Sequence, residues 1–179
     1  MLGLKRGMVE LLPHQEEWQQ SAAEVIDKLK ALLGRTAIEI QHVGSTAIRG
    51  VHAKPIVDLV IGTAKLEDVA DSFALLELNG LIFRGSDVPG QLLFVIGDGD
   101  FRTHHIHVVP WKGSAWNNYI NFRDYLNACP EKAKAYDALK LRLAEQFADD
   151  RVRYSRGKQE LIDRLLAEAV QWRQKENTQ

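Results

Sequence analysis

The stretch HVGSTAIRGVHAKPIVD, residues 42–58, decides the fold, because it joins two β-branched runs through a turn of small residues. The run from Thr36 to Val43 predicts one strand, and the run from Lys54 to Ile61 predicts a second, buried strand. Between them, Gly44-Ser45-Thr46 indicates a tight turn that opens a short helix ending at Gly50. The stretch therefore predicts a strand, a short helix and a strand in succession.

The turn at the start of this helix predicts a site for a phosphate group. Free backbone N–H groups at a helix N-terminus attract anions, and Gly44 lets an anion approach because it has no Cβ. Ser45 or Thr46 would cap the helix, and Arg49 and Lys54 add positive charge nearby. We therefore expect these five residues to bind phosphate.

Asp58 interrupts the apolar run IVDLVI, residues 56–61. An unpaired carboxylate there would be costly or would be forced to neutralise, so Asp58 needs a cation, a metal ion or a hydrogen-bonded partner. A Gly-Ser-Thr turn alone is typical of a helix cap, and an Asp that ends a strand often only caps a loop. The conjunction of the turn, Arg49, Lys54 and Asp58 instead favours a ligand site, with Asp58 as the catalytic residue.

The rest of the chain predicts an α+β fold in a single domain over residues 1–179. Residues 1–112 predict a mixed sheet with helices, and residues 113–179 a helical half packed on it. The predicted strands besides those above are Val9–Leu12, Leu81–Arg84, Leu92–Ile96 and Phe101–Val109, the last two joined by a hairpin turn at residues 97–100. The predicted helices are His14–Leu33, Leu66–Leu78, Ala115–Asn127, Pro130–Phe147 and Ser155–Gln174.

The composition of the chain limits the kinds of molecule that the protein is expected to bind. The chain has 179 residues, of which 45% are hydrophobic and 26% charged, and this is typical of a globular protein. A net charge of −1 argues against nucleic acid as a partner, so a small molecule that contains phosphate fits better. The single cysteine, Cys129, and the absence of a long apolar run favour the cytoplasm and predict no membrane association. Oligomeric state is left open.

A second group of polar residues lies in the predicted strand RTHHIH, residues 102–107. Side chains alternate along a strand, so His105 and His107 share one face, and His104 and Ile106 share the other. Two imidazoles on one face can share a metal ion, although a histidine-rich strand is also typical of a half-exposed sheet edge. We expect Asp58, His105 and His107 to form a metal site.

The motifs H42-x-G-S-T-A-I-x-G50 and K54-P-x-x-D58 resemble the GrpB (UPF0157) family. The resemblance continues through Trp18, the strand at 102–107 and F122-R-D-Y-L126. It implies a nucleotidyltransferase-like mixed sheet with flanking helices and a helical C-terminal part.

The same resemblance singles out Tyr136 with Lys140 and Tyr154 with Lys158. Each pair is four residues apart, on one helical face, and Lys140 and Lys158 are candidate phosphate clamps or, alternatively, members of surface pairs. Arg151, Arg153, Arg156 and Lys158 form a basic cluster that Asp149 and Asp150 balance, an arrangement typical of a solvated loop.

The chain departs from the superfamily pattern after the Gly-Ser turn. Active nucleotidyltransferases carry two acidic residues separated by one apolar residue, whereas this chain has Asp58-Leu59-Val60. A site with two Mg²⁺ ions therefore looks incomplete. Imidazoles suit Zn²⁺, Mn²⁺ or Ni²⁺ better than Mg²⁺, so we expect a single divalent ion of that kind, with a nucleoside triphosphate as a candidate cofactor.

Three function classes remain open. The first is a metal-dependent enzyme that transfers or hydrolyses a nucleotidyl or phosphoryl group on a small nucleotide or metabolite. The second is a non-catalytic nucleotide or metabolite sensor that kept the pocket but lost the second carboxylate. The third is a non-haem iron enzyme with a facial triad of Asp58, His105 and His107, although the sequence shows no β-sandwich pattern.

Overall fold

The computed structural model describes residues 1–86, 88–98, 100–176 and 178. Its strands are β1 (Leu4–Lys5), β2 (Glu39–Val43), β3 (Val57–Thr63), β4 (Leu81–Gly85), β5 (Leu92–Asp98) and β6 (Phe101–Pro110). Its α-helices are α1 (Glu16–Leu33), α2 (Phe73–Leu78), α3 (Ser114–Ala128), α4 (Pro130–Gln146) and α5 (Arg151–Glu176). Short 3₁₀ segments lie at Gly34–Thr36, Ser45–Ala47 and Leu66–Ser72.

The strands form one mixed sheet in the order β2-β3-β6-β5-β4, with β1 paired to β6. Strands β3 and β6 are parallel, and every other pair is antiparallel. In the parallel pair, Asp58 lies opposite His105 and Val60 lies opposite His107. This mixed sheet with flanking helices confirms the predicted fold class, and its register brings the acidic strand beside the histidine strand.

The two faces of the sheet are covered by different helices. On one face, Trp18 and Leu29 of α1 pack in the same core cluster as Leu59 and Ile61 of β3. On the other face, Val60 packs with Trp116 of α3 and is fully buried. Because side chains alternate along β3, Asp58 and Val60 both point toward the side of α3. Asp58 therefore faces the C-terminal helices.

Four local predictions are wrong in detail. The helix expected over Leu66–Leu78 is a 3₁₀ segment, Leu66–Ser72, followed by α2, Phe73–Leu78. The helix expected after Gly44 is a single 3₁₀ turn, Ser45–Ala47. Strand β3 begins at Val57 and not at Lys54, since Pro55 has no N–H to donate to a neighbouring strand. The strand expected at Val9–Leu12 is an isolated bridge between Leu12 and Ala53, whereas Leu4–Lys5 forms a short strand paired with β6. The predicted hairpin turn at 97–100 includes Gly99, which lies outside the described residues.

Helix α5 begins earlier than predicted, at Arg151 instead of Ser155. The carboxylate of Asp150 accepts the backbone N–H of Arg153 at 3.0 Å, so Asp150 caps this helix. The earlier start places Tyr154 and Lys158 within the same helix, one turn apart. Across the described ranges, no helix has the length and apolar character needed to span a membrane.

Candidate functional site

A cleft of about 220 Å³ lies between the turn after β2, the strands β3 and β6, and the helices α4 and α5. The turn residues Gly44, Ser45 and Thr46 line it. Asp58 and His105 line it from the sheet, and Phe122, Tyr136 and Tyr154 add aromatic surface. Its cationic side chains are Lys54, Lys140, Arg151 and Lys158. Asp58 is the one acidic side chain among the described lining residues.

Gly44 brings the turn directly over Asp58. Its φ of 70° lies in the left-handed region, which a residue with a side chain adopts only at a cost. A Cβ at this position would overlap the carboxylate of Asp58. The glycine is therefore required both by the backbone conformation and by the close approach of the turn to Asp58.

The hydroxyl groups of the turn do not cap a helix. The 3₁₀ segment has no side-chain cap hydrogen bond, and three residues are too few for a helix dipole to define an anion site. The Oγ of Ser45 lies 3.3 Å from the hydroxyl of Tyr136, and the Oγ1 of the buried Thr46 lies 2.9 Å from Nε2 of His42. The structural basis expected for phosphate binding at this turn is thus wrong, although all three turn residues do line the cleft.

Asp58 finds its partners on the neighbouring strand. Its Oδ1 lies 3.1 Å from Nδ1 of His105 and 3.7 Å from Nε2 of His107. Burial raises the pKa of this carboxyl, but the hydrogen bonds and the charges of His105 and His107 outweigh burial, so its pKa is lowered. The carboxylate is therefore ionised at neutral pH.

His107 is held by two residues that the sequence did not identify. The amide Nε2 of Gln91 lies 3.0 Å from Nδ1 of His107, and the hydroxyl of Tyr119 donates to Oε1 of Gln91 at 3.0 Å. The ring of Tyr119 also packs on the ring of His107, with the centroids 5.0 Å apart. These contacts direct Nε2 of His107 toward Asp58. No sequence signal marked Gln91 or Tyr119, since they lie outside any regular polar pattern.

The three residues predicted as metal ligands come together: His105 is hydrogen bonded to Asp58, and His107 lies within ion-pair distance of it. The Nδ1 of His105 faces Asp58, while its Nε2 is buried with no hydrogen-bond partner among the described residues. Within the ranges that the structure describes, no group of three or more His, Cys, Asp or Glu side chains is arranged to hold a metal ion. The donor types fit a transition metal, but their arrangement is not a coordination set.

The lysines of the cleft have lowered pKa values. Lys140 is 1% exposed, and its Nζ donates to the backbone carbonyl of His52 and lies 4.6 Å from the ring centroid of Tyr136. Burial, reinforced by the nearby charge of Lys158, lowers the pKa of Lys140 to about 7. Burial and then the charge of Lys54 lower the pKa of Lys158 to about 8, and its Nζ lies 4.5 Å from the ring centroid of Tyr154. Ammonium groups this close together, with few negative charges near them, favour a bound anion.

The carbonyl that accepts Lys140 is itself fixed. Asp137, on α4, accepts the backbone N–H of His52 at 2.7 Å, and its other oxygen lies 2.9 Å from Nδ1 of His52. This double contact ties the segment before β3 to α4. Neither His52 nor Asp137 was predicted, because they are 85 residues apart in the chain.

The sequence assigned two arginines incorrectly: Arg49 lies outside the cleft, and Arg151 lies within it. Arg49, predicted to bind phosphate, is exposed and does not line the cleft, and its backbone N–H donates to the side-chain oxygen of Asn127. Arg151, which the sequence assigned to a solvated loop, lines the cleft together with Lys54. The basic cluster at the start of α5 is therefore partly a component of the site.

The sheet order and the turn before the acidic strand define a nucleotidyltransferase-like fold. The structure of Cid1 in complex with its short product ApU has a similar fold, with a TM-score of 0.53 over 74% of this chain and 42% of that chain, at 12% identity. At such low identity, the likeness concerns the fold alone.

Closer relatives identify the family. Residues 8–168 match the profile of a family described as GrpB protein. Glutamate-rich protein GrpB of Alkalihalophilus pseudofirmus is 36% identical over 173 residues, which span 94% of this chain and 99% of the relative. The crystal structure of conserved protein GrpB from Enterococcus faecalis matches 90% of this chain and 98% of that chain, with a TM-score of 0.85 and 27% identity. The chain therefore belongs to the GrpB (UPF0157) family.

Proposed function

We propose that the cleft binds the phosphate groups of a small nucleotide or phosphorylated metabolite, and that the protein transfers a nucleotidyl or phosphoryl group from this ligand. One observation carries the proposal: Lys54, Lys140, Arg151 and Lys158 converge on one cavity, and Asp58 is the single carboxylate among its described lining residues. Such an excess of positive charge suits an anion with more than one negative charge.

Each part of the cleft has a role in this proposal. The lysines and Arg151 bind phosphate oxygens, and the hydroxyl of Ser45 donates a further hydrogen bond. Gly44 keeps the backbone close to Asp58, so that a bound phosphate group lies near the carboxylate. Asp58 is the catalytic residue, ionised and oriented by His105 and His107. Phosphoryl transfer depends mainly on positioning and on the stabilisation of charge, and the cleft provides both.

The proposal includes a divalent metal ion because the cluster of Asp58, His105 and His107 offers suitable donor atoms. One carboxylate and two imidazoles suit Zn²⁺, Mn²⁺ or Ni²⁺ better than Mg²⁺. Asp58, His105 and His107 would hold the ion after a rearrangement of their hydrogen bonds, and the ion would polarise a phosphoryl oxygen.

The metal proposal predicts a difference between neighbouring histidines. His105→Ala and His107→Ala should each lower the amount of Zn²⁺ or Mn²⁺ bound, because each removes a donor next to Asp58. His104 points to the opposite face, where Nε2 lies 3.1 Å from the hydroxyl of Ser21, so His104→Gln is the control and should bind metal as the parent does. Metal titration followed by elemental analysis measures the effect. Equal losses in all three variants would contradict the assignment.

Ser45→Ala should weaken phosphate binding and leave the fold nearly intact. The substitution removes one partly buried hydroxyl, which contributes about 1 kcal/mol or less to stability. Calorimetric titration with ATP, CTP and inorganic phosphate measures binding, and Tyr136→Phe is the matched control, since it removes the same hydrogen bond and keeps the Ser45 hydroxyl. If Ser45→Ala binds as tightly as the parent, Ser45 is not a ligand-binding residue.

Val60 supports a second candidate, a protein that binds a nucleotide or metabolite without turnover. It occupies the position two residues after Asp58 and is fully buried in a cluster with Val43, Val109 and Trp116. No carboxylate could replace Val60 there without burying a second charge among apolar side chains. Incubation with ATP or CTP and Zn²⁺, Mn²⁺ or Mg²⁺, with chromatography of the products, separates the two candidates. Thermal stabilisation without any product would favour the binding protein.

A further inference from the structure

A second cavity lies on the other side of the turn at residues 44–47, between α1, β2 and α3. Its volume is about 560 Å³, compared with about 220 Å³ for the cleft proposed above to bind phosphate, hereafter called the phosphate cleft. Sites for small molecules typically measure roughly 300–1,000 Å³. Ala47 lines this cavity, whereas Thr46, the preceding residue, lines the phosphate cleft, so the turn separates the two.

Among the described residues that line the second cavity, Arg49 is the one cation free to bind a ligand. Arg123 is engaged, because its guanidinium donates to the Oε1 of Gln41 at 2.8 Å, to the carbonyl of His42 at 2.9 Å and to Asp124. The guanidinium of Arg49 is exposed and makes no hydrogen bond or ion pair with any residue that the structure describes. No Asp or Glu is present among the described lining residues. The cavity therefore suits an anion with a single charge.

One wall of the second cavity is apolar. Ala22, Ala23 and Ile26 from α1 and Ile40 from β2 line it. The small alanine side chains leave the space open, and this wall offers no hydrogen bonds to an inorganic ion. A ligand with an apolar body would bury surface against it and gain free energy.

Two imidazoles complete the lining. Burial lowers the pKa of His42 to about 4, against the opposing effect of Asp58, so His42 is neutral at physiological pH. The Nδ1 of His14 is buried with no hydrogen-bond partner among the described residues. A ligand that carries a hydrogen-bonding group could satisfy this atom.

We propose that the second cavity binds a small organic carboxylate, with its carboxylate on Arg49 and its apolar body against the α1 wall. A carboxylate is favoured over a phosphate because Arg49 is a single guanidinium, whereas the phosphate cleft gathers four cations. The site is separate from the phosphate cleft and does not depend on its proposed function. His42, hydrogen bonded to Thr46, connects the two cavities through the turn.

The experiment is a titration of ¹⁵N-labelled protein with benzoate, followed by NMR at the amides of Ala22, Ala23 and Ala47. Acetate is the probe with charge but no apolar body, and benzyl alcohol is the probe with the body but no charge. Benzoate should give saturable shifts at these amides and bind more tightly than either comparison probe. Arg49→Ala, at an exposed position, should weaken benzoate binding by about fivefold.

Two further variants test the location. Ala23→Trp should fill the cavity and abolish benzoate binding, with circular dichroism to verify that the fold is retained. Lys158→Met, in the phosphate cleft, should leave benzoate affinity unchanged. The proposal is overturned if benzoate gives no saturable shift at these amides, if Arg49→Ala binds it as tightly as the parent, or if Lys158→Met alone abolishes binding.

Discussion

Gly44→Ala is expected to destabilise the fold by about 3 kcal/mol and to abolish phosphate binding. Two effects add. The backbone at residue 44 has a φ of 70°, which costs an alanine about 1–2 kcal/mol, and the new Cβ would overlap the carboxylate of Asp58. Either the turn or Asp58 must move, and both line the cleft. Urea denaturation measures the loss of stability, and calorimetry with ATP measures binding.

Gly50 provides a matched control for this prediction. Its φ is 72°, nearly the same as that of Gly44, but a Cβ at Gly50 would meet no atom within 4 Å. Gly50→Ala should therefore cost only the backbone strain, about 1–2 kcal/mol, and should keep phosphate binding. The difference between the two variants measures the contact with Asp58 together with the cost of the extended ψ of −171° at residue 44. Equal losses of stability would show that Asp58 does not restrict residue 44.

Lys140→Met is expected to change how stability depends on pH. In the folded protein the pKa of Lys140 is about 7, compared with 10.5 for an unperturbed lysine. Between these values the unfolded chain binds more protons than the folded chain, so the free energy of unfolding rises with pH from about 7 to 10.5. Lys158, with a pKa of about 8, acts in the same direction. Lys140→Met should therefore reduce this rise, and the double variant Lys140→Met, Lys158→Met should reduce it further, while the lowered pKa of Lys54 keeps a smaller rise.

Ligand binding should show the opposite dependence on pH. The protonated lysines bind phosphate, so affinity should fall by about tenfold or more between about pH 6.5 and 9.5 as both amines lose their protons. Binding near pH 8 should also take up protons, which calorimetry detects as a heat that changes with the ionisation enthalpy of the buffer. Lys134→Met is the control and should not change this dependence on pH. Lys134 lies on α4, as Lys140 does, but 74% of its side chain is exposed. A pH-independent affinity would exclude the two lysines from the site.

The sequence determined the elements that depend on neighbouring residues. Strands β2, β3 and β6 and the long helices follow from hydrophobic patterns that repeat within a few residues, and the structure confirms them with shifted ends. The alternation of side chains along β6 correctly placed His105 and His107 on one face and His104 on the other. The need of Asp58 for partners also followed from its position among apolar residues.

Tertiary structure decided which charged groups share the cleft. The direction of a side chain beside a turn depends on the backbone path, and a single 3₁₀ turn turns Arg49 away from the cleft where a longer helix was expected. Arg151 enters the cleft because Asp150 starts α5 four residues earlier than the hydrophobic pattern indicated. Gln91, Tyr119 and Asp137 contact the site from distant positions in the chain. Their positions depend on long-range packing between the sheet and the C-terminal helices, and no local pattern in the sequence encodes such packing.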